Sequence, residues 1–338
     1  MTEEGWPRKV IAGTGVLNVH PMHSTDIPAG GPRHMSVSAL CQMQQDLQAN
    51  GYLLLRHALP ASMVMTARQV IVKDLASNGF LDTSAVADRD TPIQQDLLLD
   101  ISKTLHQNCV QCPFTTVTSP QLLSRQDWIK AQPELMNVLE HQHLQDLADL
   151  FLATDSSILV DKTTLVDDMD DCARSDTSCD IQTEKDTPSA MTLPFKWLRA
   201  VGTGLYTGLH CDRVYVGHIS QRQLTLWIPI GHVTSSMGSI VVSSGSHRNQ
   251  VWKDIRDSYS QGRAGVDGTQ SGWLCLDPRE IESRLLASAP TGIHSLDWVT
   301  TDFCPGDVCV LDLNVMHMST TNITHDWRLS CDTRWLSI

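Results

Sequence analysis

The sequence lacks an excess of positive charge, a long apolar run and any repeated pairing of cysteines. Its 25 Lys and Arg are outnumbered by 38 Asp and Glu, for a formal net charge of −13. That balance argues against wide contact with nucleic acid or an anionic membrane surface. No apolar stretch is long enough to span a bilayer. Met1-Thr-Glu-Glu-Gly-Trp-Pro7 has no basic start leading into an apolar run, so no secretory leader is expected. Leu336-Ser-Ile338 is not the Ser-Lys-Leu peroxisomal address. The ten cysteines are scattered, and Cys109-Val-Gln-Cys112 has no second pair at zinc-finger spacing. Reduced thiols in a cytoplasmic protein are the expectation. With 41% hydrophobic and 19% charged residues, the 338-residue chain has the composition of an ordinary globule that can bury a sizeable core. Its expected partner is a small-molecule substrate, with no nucleic acid and no membrane, and its expected state is a monomer or small homo-oligomer.

The hydropathy pattern divides the chain. Residues 1–35 are rich in Gly, Pro and His without a clear period and read as an arm that wraps the body or frays. Residues 36–153 read as mainly helical. Ser36 or Ser38 caps a helix carrying Leu40, Met43 and Leu47 that stops at Gly51, and Tyr52–Leu55 follows as a short buried strand. Pro60 starts a second helix that ends at Gly79, and residues 92–107 read as a third. Residues 133–153 read as a fourth, with Leu135, Val138, Leu139, Leu144, Leu147 and Leu150 in one stripe. His141 and His143 in that helix face two directions and read as surface or groove residues. Residues 154–188 are strongly acidic and read as a mobile loop, with a lid as the sharper alternative. From 189 to the end the signal is β. Short alternating or apolar runs occur at 195–201, 223–230, 239–242, 307–311 and 327–336, separated by Gly and Pro turns. An insertion at 253–300 is expected to be helical at Pro278–Ala287. The whole reads as a single α+β domain, with a helical N-terminal half packed on a mainly β core.

Within the β region, Gly208-Leu-His-Cys-Asp-Arg213 places an imidazole and a carboxylate two residues apart. On a strand, His210 and Asp212 share a face. His317, from Asn314-Val-Met-His-Met-Ser319, completes a 2-His-1-carboxylate set that suits Fe(II) with open positions. By itself an H-x-D dipeptide is equally a buried His beside a turn Asp. The tail adds weight. Arg328 and Ser330 share a strand face, and Ser319 lies two residues past His317. A guanidinium fork plus a hydroxyl suits a buried carboxylate, although Arg328 could instead form a solvent salt bridge with Asp326 or Asp332. An acid anchor beside an open iron site points to 2-oxoglutarate.

These residues make the chain resemble the phytanoyl-CoA dioxygenase family of Fe(II)/2-oxoglutarate oxygenases. Four blocks carry the resemblance: Asp46-Leu-Gln-Ala-Asn-Gly-Tyr-Leu-Leu-Leu-Arg56; Thr207-Gly-Leu-His-Cys-Asp212; Leu224-Thr-Leu-Trp-Ile-Pro-Ile230 followed by Gly238-Ser-Ile-Val-Val-Ser-Ser-Gly-Ser-His247; and Cys304-Pro-Gly-Asp307 with His317 and Arg328. It covers roughly residues 36–75 and 193–338. The resemblance implies a double-stranded β-helix, the cupin-like jelly roll, with Fe(II), 2-oxoglutarate and O2 as cofactor and co-substrates. It implies that His210, Asp212 and His317 bind iron, and that Arg328, Ser319 and Trp227 contact 2-oxoglutarate. A further polar residue from the strand before the H-x-D, Lys196 or Arg199, is expected to help, and Ser330 belongs with the same group. Tyr206, Arg213, Tyr215 and His218 flank the metal motif and are expected substrate contacts. His247 reads as structural. A retained Asp212 disfavours halogenation, in which a halide takes the carboxylate's place, and favours hydroxylation or another outcome of hydrogen abstraction. The rivals are a non-catalytic metal- or ligand-binding jelly roll and a cupin-like isomerase or hydrolase, neither of which needs the carboxylate anchor.

Overall fold

The computed structural model describes residues 8–77, 125–152, 190–202, 204–217, 219, 222–264, 272–324 and 326–338. The helix expected at 92–107, the Cys109–Cys112 pair, the acidic segment 154–188 and His218 lie outside the described residues.

Two mainly antiparallel sheets face each other. One has five strands in the order β1-β2-β9-β8-β11: β1 Arg8–Ala12, β2 Gly15–Pro21, β9 Trp298–Thr300, β8 Ile240–Ser243 and β11 His317–Ser319. The other runs β3-β4-β10-β7-β12-β5: β3 Ser24–Asp26, β4 Tyr52–Arg56, β10 Val308–Asp312, β7 Gln223–Pro229, β12 Arg328–Ser337 and β5 Ala190–Thr192. β6, Trp197–Val201, joins the second sheet by pairing with the other end of β12. This is the expected jelly-roll architecture.

Alternation sorts the strand side chains into three cores. Tyr52 and Leu54, Cys309 and Leu311, Trp227, and Ile240 and Val242 point between the sheets. Their sequence neighbours Leu53, Leu55, Val308, Val310, Leu224, Leu226 and Ile228 point outward into the helical layer. That layer contains α1 Val37–Asn50, α2 Ala61–Ser77, α3 Gln126–Lys130, α4 Pro133–Leu139 and α5 Gln142–Leu152. The Leu224–Leu226–Ile228–Ile230 face thus meets helices. At about 1.5–3 kcal/mol for each fully buried large apolar side chain, this layer is a main source of stability. The third core lies outside the five-stranded sheet and includes Trp252 and Ile255 near α7 (Lys253–Asp257) and Ile281 and Leu285 of α8 (Pro278–Ala287). α8 falls where the sequence places it, while the same insertion ends in β9.

The first helix follows its sequence signals closely. The Ser36 side chain accepts from Ala39 N, and Gly51 ends the helix in the left-handed region at φ 77°. Two other segments differ from expectation. Residues 133–153 form two helices, α4 and α5, because Glu140 leaves helical geometry (φ −126°) and the His141 imidazole caps the next helix, accepting from His143 N at 3.1 Å. Burial lowers the His141 pKa and favours the neutral ring that can accept this bond. His143 Nδ1 lies 2.9 Å from Ala58 O, which makes it a groove histidine. The N-terminal segment, expected to wrap the body or fray, is β structure from residue 8. β1 and β2 form a hairpin whose Val10, Ala12, Leu17 and Val19 are buried, and β2 runs parallel to β9. Exposed Ile11 and Val16 on the outer face, 42% and 46% accessible, blur the two-residue period. No helix among the described residues is long and apolar enough to cross a membrane.

Candidate metal centre

The two histidines are brought together by backbone pairing. His210 N donates to His317 O at 2.9 Å and His317 N to His210 O at 2.8 Å, an isolated antiparallel bridge. Residues directly opposite in such a pair project to the same side, and the imidazole centroids are 4.2 Å apart. β11 is held on its other edge by β8, with His317 opposite Val242. The chain then leaves the extended conformation. Asp212 (φ −69°, ψ −21°) is the N-cap of a four-residue helix, α6 (Arg213–Val216), so it reaches the site from a turn and not from a strand. The one-face argument for the H-x-D pair gave the right neighbours by the wrong local geometry. Cys211 between them is buried with the outer core, and its thiol meets Ser260 Oγ at 3.4 Å.

His210, Asp212 and His317 are all buried, and one ligand atom of each lies within 4.8 Å of the others. The second ring nitrogens are fixed. His210 Nδ1 lies 2.8 Å from Gly208 O and His317 Nδ1 3.1 Å from Val315 O. With those N–H groups donating to carbonyls, both Nε2 lone pairs are left for a metal. The Nε2 atoms lie 3.8 and 4.0 Å from the Asp212 carboxylate. Burial and the neighbouring His317 lower the His210 pKa to about 3, so the ring is neutral and able to ligate at physiological pH. Burial pushes the Asp212 carboxyl up, but Arg334, the two histidines and the Thr225 hydroxyl outweigh it and hold the group below the usual carboxylate range. The donor set is that of an open, oxygen- and nitrogen-ligated divalent metal, because three protein ligands leave an octahedron half free.

The second sheet supplies the floor. In the register of β12, Ser330 lies opposite Arg199, Asp332 opposite both Trp197 and Trp227, and Arg334 opposite Thr225. These residues therefore share the inward face, while Leu329, Cys331 and Trp335 point into the helical core. Arg199 Nε and Nη2 donate to Asp332 Oδ2 at 3.2 and 2.9 Å. Arg334 Nη1 lies 3.6 Å from the same carboxylate, and Arg334 Nη2 donates to Asp212 Oδ1 at 2.8 Å. A chain of alternating charge thus runs to the Asp212 carboxylate.

A cleft beside the histidines is lined by Arg199, Thr207, His210, Trp227, Ile240, His317, Met318, Ser319, Arg328 and Asp332. Arg328 is 2% exposed, which rules out a solvent salt bridge. Its Nη1 donates to Gly238 O, its guanidinium carbon lies 5.9 Å from the Trp227 ring centre, and its Nε has no partner among the described residues. Burial and nearby Arg199 lower its pKa to about 9, leaving it cationic at neutral pH. The fully buried Ser330 hydroxyl also has no partner among the described residues. Two unpaired buried donors on one strand face are what a bound carboxylate would satisfy. The Ser319 hydroxyl accepts from Thr207 N at 2.8 Å and keeps its own hydrogen to donate.

Of the alternatives before the H-x-D, Arg199 lines the cleft and Lys196 does not. Lys196 is fully buried, but its ammonium is taken by Glu140, Thr192 Oγ1 and Leu193 O at 2.8, 2.9 and 3.1 Å. Among the flanking residues, the half-buried Tyr215 packs its ring edge-to-face on His210 at 5.5 Å. Half-buried Tyr206 faces Trp273 at 6.2 Å. Arg213 Nε donates to Asn314 Oδ1 at 2.6 Å. His247 lies 3.0 Å from Gln48 O and bridges β8 to α1, as a structural residue would. Sequence reasoning missed Arg334, Asp332 and Thr225 as parts of the site. The period-two polar series Arg328, Ser330, Asp332, Arg334 was the signal that could have found the first two.

A family model described as Phytanoyl-CoA dioxygenase (PhyH) matches residues 47–330. No curated protein matches the chain by sequence. Among solved structures, the chain is similar to the non-heme alpha ketoglutarate dependent carbocyclase SnoK from nogalamycin biosynthesis, with 13% identity, TM-score 0.52, and coverage of 90% of this chain and 86% of that one. It is also similar to the epimerase SnoN from the same biosynthesis, with 13% identity, TM-score 0.48 and coverage of 89% and 82%. EctD from S. alaskensis with bound Fe gives 15% identity, TM-score 0.47 and coverage of 98% and 84%.

Proposed function

The chain belongs to the phytanoyl-CoA dioxygenase (PhyH) family of Fe(II)- and 2-oxoglutarate-dependent oxygenases, and from that premise we propose that it oxidises a C–H bond of a small organic molecule, most simply by hydroxylation. In this reading His210, Asp212 and His317 hold the iron. Arg328, Ser319, Ser330, Trp227 and Arg199 hold 2-oxoglutarate, and Tyr206, Arg213, Tyr215 and His218 approach the substrate. Once bound there, iron supplies the activation of O2 that couples decarboxylation of 2-oxoglutarate, to succinate and CO2, with substrate oxidation.

The protein's own contribution is orientation and exclusion of water. The Gly208 and Val315 carbonyls fix both imidazoles with Nε2 toward the metal position. Arg328 offers a desolvated cation and an unpaired Nε, and Ser330 an unpaired hydroxyl. Trp227 packs against Phe303, with ring centres 4.8 Å apart, and forms a rigid wall. The observation that carries the proposal is a buried His-Asp-His set beside a cleft lined by Arg328, whose Nε is unsatisfied among the described residues, with the equally unsatisfied Ser330 hydroxyl on the same strand face. We read the whole chain as one oxygenase domain, since the helices and the seven-stranded sheet share a continuous core. The scattered cysteines of the sequence favour a cytoplasmic location.

The test is Fe(II)-dependent succinate formation from 2-oxoglutarate by wild type beside His210→Ala and Arg328→Ala. Slow uncoupled turnover that both substitutions abolish is expected. Under anaerobic conditions, Fe(II) plus 2-oxoglutarate should give a visible metal-to-ligand charge-transfer band. A folded, iron-loaded protein without that band overturns the 2-oxoglutarate reading in favour of a metal- or ligand-binding module.

A further inference from the structure

Asp212 is the ligand that the backbone constrains least. It stands at a turn, and a carboxylate can rotate about its own axis where a bonded imidazole cannot. Both of its oxygens are nevertheless taken. Thr225 Oγ1 donates to Oδ2 at 2.6 Å and Arg334 Nη2 to Oδ1 at 2.8 Å. The two donors come from β7 and β12, where they lie directly opposite each other. All three side chains are buried, at no more than 1% exposure each.

Arg334 is an expensive residue to place there. Among the described residues its Nε and Nη1 make no hydrogen bond, and the guanidinium's one hydrogen bond goes to Asp212. The guanidinium is held in place by other means, 4.5 Å over the Trp197 ring and 3.6 Å from Asp332. Its position is thus fixed independently of the carboxylate that it meets. A buried cation with a single hydrogen bond is poor value for folding alone. As a fixed donor beside a metal carboxylate it has a purpose, because outer partners orient the ligands and set metal affinity.

We propose that Arg334 and Thr225 are positioning residues that clamp the two oxygens of Asp212 and fix its plane toward His210 and His317, so that metal affinity depends on both. This inference rests on the metal-centre reading of those three residues. Neither clamp residue lines the cleft beside Arg328, but Arg334 reaches Asp332, which does, so Thr225 is the substitution that leaves the charged lining of the cleft untouched.

The experiment is Mn(II) binding, followed by the electron paramagnetic resonance of free Mn(II), with each protein's fold checked by circular dichroism. His210→Ala should lose binding. Thr225→Val removes one hydrogen bond at nearly constant volume and should weaken binding about tenfold, while Thr225→Ser, which keeps the hydroxyl, should bind like wild type. Arg334→Met should weaken binding about 10–100-fold, with Arg334→Lys partly restoring it. A purely structural role predicts lower thermal stability with unchanged Mn(II) affinity of the folded protein. Unchanged affinity in folded Thr225→Val and Arg334→Met overturns the clamp. If Arg334→Met does not fold, the Thr225→Val and Thr225→Ser pair decides alone. Folded wild type that binds no Mn(II) overturns the metal centre itself, and the clamp with it.

Discussion

Arg328 has the chemistry of an anchor because it is cationic, buried and only partly satisfied. A hydrogen bond to a charged group contributes about 1.5–3 kcal/mol, so Arg328→Gln should raise the 2-oxoglutarate concentration for half-saturation about 10–150-fold. Arg328→Lys keeps the charge but loses the planar fork and should fall between. Titration of the anaerobic charge-transfer band measures both. His210 gives a pH dependence of known sign. Its folded pKa, about 3, lies below the unfolded value of 6.5. Between those values the unfolded chain binds the extra proton, so the stability of the metal-free protein should rise with pH up to about 6.5 and then level for this group. Asp212, also lowered, acts in the same sense at more acid pH. Urea denaturation of metal-free protein at pH 4.5, 5.5 and 7.0, compared with His210→Ala, tests this. A stability that falls as pH rises from 4.5 to 6.5 would sink it. At this scale the convergence of His210, Asp212 and His317 was legible in the sequence because metal chemistry restricts residue type and spacing. Arg334 and Thr225 were not, since their role depends on which carboxylate the fold places in front of them.

β12 shows how one element serves two tasks through its period of two. Its outward residues Leu329, Cys331 and Trp335 join the helical core, and its inward residues face the cleft and the metal carboxylate. Substitutions on alternate positions should therefore separate. Trp335 is 1% exposed and should cost about 3–5 kcal/mol on replacement by Ala, read in urea denaturation. Ser330→Ala removes an unsatisfied buried hydroxyl and should leave stability unchanged or slightly raised, yet weaken 2-oxoglutarate binding. A destabilised Ser330→Ala with normal co-substrate affinity would contradict the assignment. The strands and α1 were readable because local signals and tertiary burial agree there: Ser36 and Gly51 bracket the helix, and apolar residues alternate in β7. The break between α4 and α5 was not readable, because an imidazole cap at His141 lies outside the usual capping residues. The β1–β2 hairpin was hidden by Ile11 and Val16, which are apolar on the solvent face.

At the scale of the molecule, the space between the sheets changes character across its width. Near β4 and β10 it is filled by Tyr52, Leu54, Cys309 and Leu311 against Ile240 and Val242. Toward β7, β12 and β6 the inward positions become Thr225, Asp332, Arg334 and Arg199. The candidate metal centre sits at that polar end, where His210 and His317 come from the side of the five-stranded sheet and the partners of the Asp212 carboxylate come from the other. A metal bound there would link the two sheets through Asp212, whose oxygens are held by Thr225 and Arg334 of the seven-stranded sheet, at the place where apolar packing does not. Its binding energy should then appear as stability of the whole fold. With Mn(II) at a hundredfold excess over its dissociation constant, linkage gives about 2.7 kcal/mol, and adding 2-oxoglutarate should add to it. The expected result is a thermal midpoint that climbs with Mn(II) and again with 2-oxoglutarate in wild type, climbs only with Mn(II) in Arg328→Ala, and climbs with neither in His317→Ala. A rise in His317→Ala equal to that of wild type would show that the stabilising ion binds elsewhere, and the role of this centre in joining the sheets would fall.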